Sequence, residues 1–62
     1  MSPDHCEAVL RQFENMMKNK ANHTPIELQE IRDEVESAMN WAKKNDQSVI
    51  QAKARQLLAD WV

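Results

Sequence analysis

Glycine is missing altogether from this 62-residue chain. That removes phosphate-cradling glycine loops, tight primed hairpin turns and nucleophile elbows, each of which needs a backbone conformation that a Cβ obstructs. The single cysteine, Cys6, cannot close an intramolecular bridge, so there is no disulfide framework. Tyrosine is absent too, and Phe13, Trp41 and Trp61 supply all the aromatic rings. No apolar run approaches the roughly 18 residues that mark a membrane span. The N-terminal MSPDHCEAVL is acidic and capped, unlike the basic, apolar start of a signal peptide. A net charge of −2 lacks the basic excess of a general nucleic-acid binder. The expectation is a single soluble, cytoplasmic domain with no membrane segment and no cofactor, near the lower size limit for folding unaided.

What is present is helical, and it is organised around TPIELQEIRDEVESAMNWAKK, residues 24–44. Thr24 offers a hydroxyl N-cap, Pro25 costs nothing in a first turn where its N–H would be unpaired, and Glu27 stands at the capping-box position. Leu28, Ile31, Val35, Ala38 and Ala42 follow at intervals of three and four and form one stripe. Ser2 and Pro3 repeat that opening for a first helix over about 3–20, whose apolar face is Cys6, Val9, Leu10, Phe13 and Met17, with Met16 at its edge. Glu7–Arg11 and Glu14–Lys18 are i,i+4 pairs in the better orientation. A third helix spans about 48–61, with Ile50, Ala54, Leu57, Leu58 and Trp61 on one face and either Asp46 or Ser48 as its cap. With no glycine to end the helices, Asn22 and Asn45 stand where left-handed caps are needed. Loops of about four residues make consecutive helices antiparallel neighbours, so the predicted fold is all-α, a three-helix up-down-up bundle.

Helix lengths lead one step further. The first two helices match, whereas the third is about 13 residues long and reaches back only to about Asp33 at 1.5 Å per residue. The far end of the hairpin, with Phe13, Met16, Met17, Leu28 and Ile31, is then left partly bare. A bare apolar patch rimmed by acids is more often an interface than an accident, which predicts a homodimer. Trp41 lies roughly 100° from the centre of the second helix's stripe. It either closes the flank against the third helix, against Trp61 for instance, or anchors a partner, and core packing is preferred because tryptophan is rarely left exposed.

Chemistry-bearing clusters fare less well. Asp4, His5, Cys6 and Glu7 are adjacent, so on a helix they point in different directions, and metal ligation there needs i,i+4 spacing. Cys6 is better read as a small core hydrophobe. The carboxylates of the second helix read as a solvated face, and no catalytic set is assigned. Lys43, Lys44, Lys53 and Arg55 give residues 43–62 a net charge of +2 against Asp46 and Asp60. They are the contacts expected if the second helix, NDQS and the third helix form a DNA-reading helix-turn-helix. The acidic first half of the second helix would repel phosphate, so nucleic acid is not the expected partner.

The stretches HCEAVLRQFENMMK and ARQLLADWV, within a chain of this size, resemble the small all-helical accessory proteins of lambdoid temperate phages, encoded between the exonuclease and excisionase genes. The residues themselves point to a non-enzymatic protein–protein interaction module, and the resemblance implies that it modulates phage development or the host cell cycle by binding host or phage proteins. It carries over no functional residue, since no diagnostic motif aligns. A small DNA-binding regulator is the alternative, and a secretion-type chaperone or antitoxin is a further one.

Overall fold

A computed structural model of the chain describes residues 1–61. Three helices, α1 (Pro3–Lys18), α2 (Pro25–Lys44) and α3 (Ser48–Ala59), pack so that each touches the other two. Short connections make α1 and α2, and then α2 and α3, antiparallel, which is the predicted up-down-up bundle. No helix of the described residues is long and apolar enough to cross a membrane.

Both proline openings behave as their chemistry dictates. The Ser2 hydroxyl accepts the His5 N–H at 3.2 Å and the Thr24 hydroxyl accepts the Glu27 N–H at 3.1 Å, each satisfying one donor that the first turn leaves unpaired. Glu27 does not close the reciprocal half of the capping box. Its Oε2 lies 3.1 Å from His23 Nδ1 instead.

The helix ends depart from expectation in three places. α1 stops at Lys18 rather than Lys20, with Asn19 as its cap donating from Nδ2 to the Asn15 carbonyl at 3.1 Å. A short 3-10 turn, Lys20–Asn22, then absorbs Asn22, so that asparagine is not a left-handed cap. At the end of α2 the left-handed residue is Asp46, with φ 55°, while Asn45 has φ −112°. The Gln47 N–H reaches back to the Ala42 carbonyl at 2.9 Å, the six-to-one bond of a Schellman turn, which places Asp46 where glycine is normally found. Neither Asp46 nor Ser48 caps α3. Gln47 takes that position, with no side-chain cap.

Asp46 carries two handicaps: a Cβ in the left-handed region and a negative charge at the negative end of a helix dipole. Asp46→Gly is expected to stabilise the chain by about 0.5–1 kcal/mol after the extra chain entropy of glycine is offset. Urea midpoints of the two proteins check this, and a lower midpoint for the variant would overturn it.

One apolar cluster fills the bundle: Cys6, Val9, Leu10, Phe13 and Met16 from α1, Leu28, Ile31, Val35, Ala38 and Ala42 from α2, and Ile50 and Ala54 from α3. Ala38, Ala42 and Ala54 are fully buried, and such small side chains let helix backbones approach closely. Burial also fixes the character of Cys6. Its thiol is pushed above its ordinary value of 9.0 by desolvation, with the N-terminal ammonium pulling weakly the other way. The folded state therefore holds this proton more tightly than the unfolded state. Stability is unaffected below pH 9, the ordinary value, and falls as the pH rises above it, where only the unfolded chain ionises. Urea midpoints at increasing alkaline pH are expected to decline more for the native chain than for Cys6→Ala, and equal declines would refute the assignment.

Candidate functional site

Three surfaces were singled out from the sequence: the far end of the α1–α2 hairpin, Trp41, and the cations around α3. The structure treats them differently.

The hairpin end is not bare. Phe13 is fully buried, Met16, Leu28 and Ile31 are buried with it, and only Met17 of that set remains half-buried. Trp61, just beyond the end of α3, packs against this cluster and covers Phe13. Its ring stacks on Phe13 with centroids 5.7 Å apart and planes inclined by 28°. The Lys20 ammonium lies over the Trp61 ring, 5.2 Å from its centroid, a favourable cation–π arrangement. Counting helical rise placed the limit of α3 near Asp33, but a tryptophan side chain extends several ångströms past its own backbone. Phe13, Met16, Leu28 and Ile31 are core, and they are corrected from exposed patch to interior.

Trp41 is half-buried and packs against the core cluster. Its main-chain carbonyl accepts the Asn45 side-chain amide at 2.8 Å, tying the last turn of α2 to the connection that follows. Trp61 takes Phe13 as its ring partner, so the suggested pairing of the two tryptophans is replaced by this one.

The four cations do not share one surface. Lys43 and Arg55 line the same open cleft between α2 and α3, about 420 Å³ in volume, whose apolar surface comes from Met39, Leu58 and Ala59. Lys53 instead lines the groove between α1 and α3, in company with Glu7 and Glu14. Lys44 is exposed on α2 and lines neither. The continuous basic stripe that a DNA-reading α3 would present is therefore divided.

The third groove, between α1 and α2, is acidic. Glu27, Glu30 and Glu34 line it together with Gln12, Met16 and Ile31. Elsewhere on α2, Arg32 Nη1 and Glu36 Oε1 pair at 2.7 Å, and Gln29 donates a hydrogen bond to the Asp33 carboxylate at 3.0 Å. At the N-terminus, Cys6 turns into the core while Asp4, His5 and Glu7 are exposed, so these adjacent residues do not converge.

Sequence patterning missed the α2–α3 cleft. Met39 flanks the α2 stripe, a geometry it shares with Trp41, whereas Leu58 belongs to the predicted apolar face of α3 yet stays half-buried. Half-buried methionine and leucine with lysine and arginine at the rim form a surface suited to an amphipathic acidic segment. Comparison with protein-family models, curated proteins and solved structures gives no match.

Proposed function

We propose that this chain is a non-enzymatic protein–protein interaction module, working as a small homodimeric regulator. The observation that carries this reading is the α2–α3 face, where Met39 and Leu58 stay half-buried beside Lys43 and Arg55. Methionine adapts its shape to a partner, and arginine is enriched in protein interfaces. Trp41, also half-buried, adds a residue type that dominates interface hot spots. The likeness of HCEAVLRQFENMMK and ARQLLADWV to phage accessory proteins supplies the biological setting: modulation of phage development or the host cell cycle through a host or phage protein.

Sedimentation equilibrium over a wide concentration range tests the homodimer. The expected mass is twice 7.2 kDa, and a monomer at every concentration would overturn it. Lys43 and Arg55 in one cleft also favour a second reading, DNA binding through α2, the connection and α3. That reading requires retention on a DNA column at low salt, weakening steeply as salt rises. No retention at low salt would eliminate it.

A further inference from the structure

Resting on the homodimer reading, we infer that the second copy docks on the α2–α3 face, antiparallel to the first, about a twofold axis passing near Met39 and Leu58. The charge layout of that face is what selects this arrangement. Arg32, Glu36, Met39 and Lys43 fall on one row of α2 by their spacing of four, three and four, and Asp33 is exposed beside it. One end of the face thus holds Asp33 and the Arg32–Glu36 ion pair, two acids against one base for a net charge of −1, the middle is apolar at Met39 and Leu58, and the other end is basic at Lys43 and Arg55.

Such a face is complementary to itself only in the antiparallel sense. A twofold axis through the apolar middle brings Lys43 and Arg55 of one copy onto Asp33 and Glu36 of the other, twice over. A parallel arrangement would set cations on cations. Antiparallel packing also opposes the two α2 dipoles, and an isologous contact of this kind closes at two subunits without building a fibre. Among the described residues, neither Lys43 nor Arg55 has an acidic partner within its own chain, so both cations are available to a second copy.

The other two grooves do not offer this. The α1–α2 groove presents Glu27, Glu30 and Glu34, and two copies meeting there would repel. In the α1–α3 groove Arg11 and Lys53 are mixed with Glu7 and Glu14, so its charges are not separated into two ends. Size is adequate too: a standard interface takes roughly 800 Å² from each partner, about a fifth of the 4310 Å² surface and less than one of the bundle's three faces.

Two charge-reversed proteins test the geometry. K43E/R55E makes both ends of the face net acidic, and D33K/E36K makes both ends basic. All four positions are exposed or half-exposed, and circular dichroism confirms that each variant stays helical. By sedimentation equilibrium each variant alone is expected to dimerise at least about tenfold more weakly than the native chain, and an equimolar mixture to recover a dimer containing one of each. Without any variant, raising the salt concentration from about 0.05 to 0.5 M is expected to weaken the native dimer severalfold. A native chain that is monomeric throughout sinks both the homodimer and its geometry. A native dimer indifferent to salt, or to both substitution pairs, leaves the homodimer standing and overturns this face. Variants that dissociate yet fail to pair on mixing overturn the antiparallel arrangement.

Discussion

Replacing Phe13 by alanine is expected to remove about a third or more of the stability of the fold. Phe13 is fully buried and is among the largest side chains so enclosed. Truncating a buried phenylalanine costs about 3–5 kcal/mol, combining lost transfer energy with the cavity left behind. At about 0.05–0.15 kcal/mol per residue, a chain of this length has a total stability of only about 3–9 kcal/mol. About a third or more of that stability is therefore lost, and at the lower end of the range all of it. Helical circular dichroism and a urea titration check it directly. A loss below about 1 kcal/mol, typical of an average substitution, would mean that the bundle is not built around this ring.

The second large effect is expected at Trp61, which owes its position to side-chain contacts beyond the end of α3. Trp61→Ala removes the stack on Phe13 and the contact with Lys20. An aromatic pair contributes about 0.5–1.5 kcal/mol beyond its buried area, and a partly exposed cation–π contact adds about 0.5–1 kcal/mol. With the apolar area uncovered on Phe13, the total loss is expected at about 2–3 kcal/mol, somewhat below the range for a fully buried tryptophan. Trp61→Phe keeps a stacked ring and is expected to retain more than half of that stability. A double-mutant cycle with Phe13→Leu isolates the pair, and coupling of about 0.5–1.5 kcal/mol is expected. Additive losses would show that the two rings touch without supporting each other.

Much of this architecture was written in local chemistry. Ser2-Pro3 and Thr24-Pro25 each combine a hydroxyl cap with a fixed φ, and both helices start at those prolines. The stripe from Leu28 to Ala42 has one apolar period, and every member of it is buried. Legibility failed where a position depends on something other than local preference. Asp46 adopts the left-handed turn because the chain must reverse between α2 and α3, and Asn45, the better residue for that conformation, stands one place too early. Trp61 covers the hairpin end through a contact with a residue 48 positions away, and helical rise alone cannot measure the reach of a side chain. The α2–α3 cleft was hidden for a third reason. Met39 sits at the margin of its stripe and Leu58 on the apolar face of α3, and periodicity alone does not distinguish a core position from a contact surface.

The Phe13–Trp61 stack also orders events in time. Neighbouring helices along the chain can pair with little loop to close, which favours fast assembly of α1 with α2 and of α2 with α3. The stack joins α1 to the residues just after α3 and rewards folding only after both hairpins exist. Trp61 should therefore be unformed at the barrier, so that Trp61→Ala accelerates unfolding while leaving the refolding rate nearly unchanged. On this account the lifetime of the native state is set at its C-terminal tryptophan, while its rate of formation is set by the hairpins.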